Sequence, residues 1–264
     1  MTLTRPTRQQ AAQMLNKVPQ LTIYFWMIKI MATTVGETAA DFLATNLHLG
    51  LTGTTFIMSG LLAVALTFQF RSKGYTPALY WVAVVLISIV GTLITDNMVD
   101  NFGISLWTTT IGFAIALAVV FGVWFASERS LSIHTIVTSK REAFYWSAIL
   151  FTFALGTAAG DLVAESLNLG YWKSAVMFGA MIGLVALCRL QLRMNAVLAF
   201  WIAYVLTRPL GASLGDFLSQ PRNVGGLGLG TTGTSAIFLL GILAVVTYLS
   251  ATHKDLEIVP ADTV

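Results

Sequence analysis

The stretch FWMIKIMATTVGETAAD, residues 25–41, places one lysine and two acids in a segment that is otherwise largely apolar. Its skeleton is an aromatic residue, a tryptophan, a glycine ten residues after the tryptophan, and an aspartate five residues after the glycine. The skeleton recurs without an error of spacing in YWVAVVLISIVGTLITD (80–96), YWSAILFTFALGTAAGD (145–161) and FWIAYVLTRPLGASLGD (200–216). Self-similarity of this kind indicates that one structural unit occurs four times.

The repeated positions are the tryptophans Trp26, Trp81, Trp146 and Trp201, the glycines Gly36, Gly91, Gly156 and Gly211, and the aspartates Asp41, Asp96, Asp161 and Asp216. The first and third tryptophans are 120 residues apart, and so are the second and fourth. The text GETAADFLATNLHLG (36–50) also resembles GTAAGDLVAESLNLG (156–170). We infer that a two-helix unit duplicated twice.

The composition is that of an integral membrane protein. Of 264 residues, 56% are hydrophobic and 10% are charged, whereas a soluble domain has about 25% charged residues. The apolar residues fall into segments long enough to cross a membrane as helices. We predict an all-α, polytopic membrane protein with eight transmembrane helices, at about 21–44, 51–70, 79–98, 106–126, 144–165, 172–190, 196–218 and 232–250.

Basic residues predict the orientation. Eleven of the fifteen lie in segments that would face one side: Arg5, Arg8, Lys17, Arg71, Lys73, Arg129, Lys140, Arg141, Arg189, Arg193 and Lys254. Lys173 and Arg222 fall on the opposite side. This asymmetry predicts that both termini are cytoplasmic. The net charge of +3 is therefore a signal of topology and indicates no nucleic-acid partner.

These spans organise the chain into one transmembrane domain, 21–250, between a cytoplasmic segment 1–20 and a cytoplasmic tail 251–264. The four repeats are approximately 21–75, 76–140, 141–195 and 196–250. From about residue 20 to 250, the chain resembles a family of bacterial membrane proteins with four tandem repeats of unknown function, each with two transmembrane helices and a characteristic tryptophan. The resemblance implies a location in the bacterial inner membrane and implies no mechanism.

Each repeat has two spans, so all four repeats enter the membrane in the same direction and their aspartates should lie at similar depth. If the first helix of each repeat surrounds a common axis, the aspartates form a ring or paired cluster. Three further acids are four residues from an aspartate and share its helix face: Glu37, Asp100 and Glu165. These seven residues are more than half of the twelve acids in the chain.

Seven carboxylates cannot stay ionised and unpaired in hydrocarbon, where each costs roughly 2.5–3.5 kcal/mol at the centre. Lys29 and Arg208 are the bases inside the spans. Carboxylates are ligands for hard cations, and the chain has no cluster of cysteine and histidine for a soft metal. We therefore expect a transporter of a small hard cation, with a divalent metal such as Mn²⁺ as the leading candidate and protons as the exchanged ion.

In this hypothesis the four aspartates bind the ion or relay protons and form the metal site, while Glu37, Asp100 and Glu165 assist. Alternatively, the aspartates are solvated groups at helix ends, with Asp100 and Glu165 in outer loops. Lys29 either reaches the cytoplasmic interface or is the counter-ion of Glu37. Arg208 is expected to form a structural or gating ion pair with an aspartate, next to a kink at Pro209. In the transport hypothesis, Lys29 and Arg208 balance the charge between the loaded and empty states.

The remaining repeat positions have structural predictions. The four glycines should pack against neighbouring helices, and the four tryptophans should be anchors at the membrane interface.

Two other functions fit the composition. One is a proton-coupled carrier of a small organic cation or another solute, which needs a cavity with aromatic walls such as Tyr24 and Tyr204. The other is a structural membrane protein without transport. The motifs of common hydrolases are missing from the sequence, so no enzyme and no cofactor is predicted. The expected partners are a small cation, protons and the lipid bilayer, and the oligomeric state is left open.

Overall fold

The computed structural model describes residues 16–46, 48–252 and 254, and these residues form helices and connecting loops with no strand. Most of the predicted cytoplasmic segment 1–20 and of the tail 251–264 lies outside the described residues, including Arg5 and Arg8. The described α-helices are α1 (Ile23–Asp41), α2 (Gly50–Arg71), α3 (Pro77–Asp96), α4 (Leu106–Glu128), α5 (Ser139–Asp161), α6 (Tyr171–Gln191), α7 (Ala196–Ser219) and α8 (Gly230–Thr252). The all-α prediction with two helices per repeat is confirmed.

Seven of these eight helices, α2 to α8, are long and apolar enough to cross a membrane. The exception is α1, which was predicted as the first span. Its sequence includes Lys29, Glu37 and several threonines, and it is not among the seven helices that are apolar enough over their length to span a membrane. The helix nevertheless takes its place beside α3 and α7, with most of its surface buried.

The odd-numbered helices form a closed inner ring in which α1 contacts α3, α3 contacts α5, α5 contacts α7, and α7 contacts α1. The repeat glycines lie at these four contacts. A methyl group on any of these glycines would overlap a residue of the next repeat around the ring, the one three positions before the glycine of that repeat. The pairs are Gly36 with Ser88, Gly91 with Phe153, Gly156 with Arg208, and Gly211 with Thr33. Absence of a side chain at these positions allows the helices to approach closely.

The even-numbered helices lie outside the ring. Each packs on the inner helix of the following repeat, α2 on α3, α4 on α5 and α6 on α7, and α8 closes the circle on α1. Their most apolar windows are only 17–28% buried, compared with 61–67% for α3, α5 and α7. The outer helices therefore present apolar residues to the surroundings, and the inner helices bury most of theirs inside the bundle.

Local sequence explains where several inner helices begin and end. Pro77 occupies the first turn of α3, and the side chain of Asn195 caps α7 by accepting hydrogen bonds from the backbone of Val197 and Leu198. After the aspartate, the first three inner helices continue as one turn of π-helix, at Phe42–Asn46, Asn97–Asn101 and Leu162–Ser166. In α7 the α-helix instead continues to Ser219, through Pro209.

Candidate functional site

Side chains at every fourth position of the inner helices meet on the axis of the ring and form layers. The layer one turn before the aspartates consists of Glu37, Thr92, Thr157 and Ala212, which are all buried. The aspartates form the next layer. One turn further, the layer consists of Thr45, Asp100, Glu165 and Gln220, of which the first three are exposed.

Arg208 closes the axis below these layers. Its side chain is fully buried, and its guanidinium donates hydrogen bonds to Glu37 Oε2 at 2.9 Å and to Thr157 Oγ1 at 2.7 Å. The same group also donates to Thr92 Oγ1 and to the carbonyl oxygen of Thr33. One side chain of α7 thus contacts the other three inner helices. The predicted partner of Arg208 was an aspartate; this is wrong, because the carboxylate one turn earlier, Glu37, is level with the guanidinium.

Above Arg208 the axis widens into a cavity of about 390 Å³. All seven acids of the sequence prediction line it: Glu37, Asp41, Asp96, Asp100, Asp161, Glu165 and Asp216. Thr45 and Gln220 also lie on its wall. The structure therefore gathers into one cavity the four repeat aspartates and the three additional acids, although these come from residues as far apart as 37 and 216.

Three of these acids form the tightest group. Glu37, Asp161 and Asp216 each offer a carboxylate oxygen, and these oxygens lie within 4.8 Å of one another. Carboxylate oxygens at this spacing can bind one hard cation between them. The other carboxylates surround this group at a greater distance on the same cavity wall.

Basic partners for the acids are few. Among the described residues, the ion pair of Glu37 with Arg208 is the only one that involves a cavity acid. The hydroxyl of Tyr171 donates a hydrogen bond to Glu165 at 3.3 Å. The cavity is therefore strongly acidic, and its charge requires water, protons or a cation to balance it.

Lys29 lies on the axis on the other side of Arg208. Its side chain is fully buried, and its Nζ lies 4.0 Å from the centre of the Phe153 ring and 4.2 Å from that of Tyr204. Both predictions for Lys29 are wrong. The side chain does not reach an interface, because the aromatic rings enclose it, and Glu37 is paired with Arg208 instead.

The aromatic residues of the motif close the axis at the end opposite to the cavity. Phe25, Tyr80, Tyr145 and Phe200 are buried, and the hydroxyl groups of Tyr80 and Tyr145 are 2.5 Å apart. Ring contacts link this layer to the adjacent tryptophans. The interfacial role predicted for the tryptophans is wrong for Trp81, Trp146 and Trp201, which are at most 5% exposed; Trp26 is partly exposed.

The sequence reasoning missed several residues of this region. Thr33, Thr92 and Thr157 hold Arg208, and Thr45 and Gln220 line the cavity. The repeat could have identified most of them. The positions four residues before and four residues after each aspartate form the layers below and above the aspartate layer. The signal was hidden because the four repeats carry different residue types at these positions.

With this geometry established, comparison with known proteins places the chain. Four segments, 24–75, 79–130, 144–194 and 199–255, match the family described as Repeat of Unknown Function (DUF347). The chain belongs to this family. The four matched segments of DUF347 each contain one inner and one outer helix of the ring. No curated protein and no solved structure shows a significant match to the chain.

Proposed function

We propose that this protein transports a small hard cation, with a divalent metal such as Mn²⁺ as the leading candidate, across the bacterial inner membrane in exchange for protons. The observation that carries the proposal is the cavity of about 390 Å³ lined by seven carboxylates at the centre of a bundle of apolar helices. With the termini in the cytoplasm, as the distribution of basic residues predicts, the cavity faces the outer side.

The chemistry of the cavity favours a hard cation. Glu37, Asp161 and Asp216 supply three charged oxygens, and the remaining acids and Gln220 supply more. A water molecule in the liquid has a volume of about 30 Å³, so the cavity has room for a cation with several of its waters. Mg²⁺ and similar ions keep part of their hydration shell when they bind.

The walls of the cavity do not favour an organic cation. Among its described lining residues there is no aromatic side chain. Tyr204, which the alternative function would use, lies on the other side of Arg208, beside Lys29. Recognition of an organic ammonium group by ring faces would need such a side chain in the cavity.

Exchange with protons follows from the crowding of acids. Adjacent like charges disfavour full ionisation, so the carboxylates can hold protons when no cation is bound and release them when one enters. Arg208 and the aromatic layer close the axis towards the other side. This arrangement supports a carrier that opens alternately rather than a continuous pore.

The test is flux into proteoliposomes that contain the purified protein, measured separately for Mn²⁺, Mg²⁺, Ca²⁺ and protons. The parent should transport at least one of the divalent cations with a counterflow of protons. Asp41→Asn and Asp161→Asn should reduce this flux. Glu128→Gln is the matched control, because Glu128 is an acid outside the cavity, paired with Lys140 at the surface. Flux in both cavity variants equal to that of the parent would refute the site.

A further inference from the structure

Lys29 is a buried base that the binding cavity does not use. Its Nζ has no hydrogen-bond partner in the described part of the chain, and it contacts the ring faces of Phe153 and Tyr204. An ammonium group has three donors and is strongly hydrated in water. Two ring faces replace only part of that hydration. Within the described ranges, the ammonium form of Lys29 is therefore stabilised only by its contacts with these two rings.

Among the residues that the structure describes, no carboxylate forms an ion pair with Lys29 that could fix its charge. Glu37 lies eight residues further along α1, about 12 Å by the helical rise, and is already paired with Arg208. The titratable groups that face Lys29 are Arg208 and Tyr204 on α7, and Tyr145 on α5 and Tyr80 on α3 follow beyond Tyr204. None of them carries a negative charge at neutral pH, and Arg208 carries a positive one. The proton of Lys29 is therefore held weakly, and a small change in the local potential decides whether the amine keeps it.

We propose that Lys29 carries a proton in the exchange cycle: its side chain is an ammonium when the cavity is empty and an amine when a divalent cation occupies the cavity. The inference rests on the proposed function. The positive charge that the cation adds in excess of the protons it displaces from the carboxylates lies about 12 Å from Lys29 along the axis, and it opposes a further positive charge in a medium of low dielectric constant. The step is R–NH₃⁺ ⇌ R–NH₂ + H⁺, with the proton exchanged with water when the aromatic layer opens, and no other bond changes.

The arrangement on the axis supports this assignment. Arg208 remains charged in both states, since a guanidinium is not deprotonated in proteins, and its four hydrogen bonds hold it in place. Lys29 is the basic group on the axis that can change its charge. It also lies on the side of Arg208 away from the cavity, between the cation site and the closed aromatic layer.

The experiment counts the protons released when Mn²⁺ binds to the full-length protein in detergent. Calorimetric titrations in buffers with different heats of ionisation give this number over a range of pH. Lys29→Met, which has no proton to lose, should release up to one proton fewer per Mn²⁺ than the parent. Lys29→Arg, which keeps its proton, should show the same deficit and serves if the methionine variant does not fold. Lys73→Met is the control at an exposed position and should match the parent.

A parent-like proton count in either Lys29 variant at every pH would overturn the assignment to Lys29 while the proposed function stands. Absence of Mn²⁺ binding by the parent would overturn the proposed function for this ion, and the role of Lys29 with it. The two failures are distinguishable because the first requires the parent to bind Mn²⁺.

Discussion

Arg208 shows how one residue organises a bundle of repeated helices. It occupies the position that is Thr33, Ser88 and Phe153 in the other three repeats, and it is the only one of the four that carries a charge. Its partners Glu37, Thr92 and Thr157 occupy equivalent positions in their own repeats. The four repeats thus form a symmetric ring of helices, but their side chains differ in the layer of Arg208 and in the layer of Glu37. These differences place one ion pair on the axis.

Removal of Arg208 should destabilise the protein strongly. Arg208→Gln leaves Glu37 buried without its base, and loss of one partner of a buried ion pair costs about 3–5 kcal/mol. The double variant Glu37→Gln/Arg208→Gln should be more stable than Arg208→Gln alone, because no uncompensated charge remains. Unfolding titrations in mixed detergent micelles would measure both differences.

Lys140→Gln provides the comparison for this ion pair. Lys140 pairs with Glu128 at the surface, where its side chain is 62% exposed, and such pairs contribute about 1 kcal/mol or less. A cost for Arg208→Gln no larger than that for Lys140→Gln would contradict the central role of Arg208.

The acids of the cavity should differ in their effect on cation affinity. Asp216→Asn removes a charged oxygen from the tight group with Glu37 and Asp161, and a contact to a charged group contributes about 1.5–3 kcal/mol. We expect Mn²⁺ affinity to fall at least about tenfold, since tenfold corresponds to about 1.4 kcal/mol. Asp100→Asn, in the exposed layer, should have a smaller effect. Calorimetry on the purified variants gives the affinities, and an equal loss in both variants would contradict the tight group as the binding centre.

At the scale of residues, the sequence predicted the acids of the cavity but not the partners of its bases. All seven acids were expected in one site, because the four aspartates recur at similar depth and the other three lie one turn away on the same helix face. The partner of Arg208 was not predictable from spacing alone, since Glu37 and Asp41 are separated by only one turn. The positions of Lys29 and the tryptophans depend on which side chains enclose them, and this is decided by packing between helices.

At the scale of helices, the repeat glycines determine how closely the inner ring is packed. A methyl group at Gly211 would overlap the side chain of Thr33, whereas one at Gly122, on the outward surface of α4, would meet open space. Gly211→Ala should therefore destabilise the protein by about 1–3 kcal/mol through overpacking. Gly122→Ala should be neutral or stabilising by up to about 1 kcal/mol, because alanine has the higher helix propensity.

Thermal unfolding of the two variants, followed by tryptophan fluorescence, would measure this contrast. Three of the repeat tryptophans lie in the core of the ring and report on its integrity. Equal stability of Gly211→Ala and Gly122→Ala would mean that the helices can separate at no cost, contrary to the close contacts of the ring.

The helices themselves were largely predictable. Long apolar segments and the fourfold motif predicted eight helices and their order, because hydropathy and length determine which segments form spans. The π-helical turns after Asp41, Asp96 and Asp161 were not predictable, since no residue pattern in the motif marks them. Such turns are often found at functional sites, and here they carry Thr45, Asp100 and Glu165 into the cavity wall.

At the scale of the whole molecule, pseudo-fourfold symmetry produces two different ends of one axis. All inner helices run in the same direction, so their aromatic residues collect at one end and their acids at the other. The acidic end is exposed at Thr45, Asp100 and Glu165, whereas the aromatic end is buried. Within the described residues, the axis is therefore accessible from the acidic end and closed at the aromatic end. The aromatic end is the one at which α1 begins, next to Lys17, and at which α8 ends, at Thr252.

Thiol labelling of intact cells would test this accessibility and the orientation together. In a background of Cys188→Ala, which removes the only cysteine, a membrane-impermeant maleimide should label Thr45→Cys from outside, because Thr45 is exposed at the rim of the cavity. Lys73→Cys, in the loop at the opposite end, should react only after the membrane is made permeable. Ile149→Cys, buried beside the layer of Lys29, should resist the reagent. Labelling of Ile149→Cys at the rate of Thr45→Cys would show that the axis is open past Arg208, and labelling of Lys73→Cys from outside would reverse the orientation that the basic residues predict.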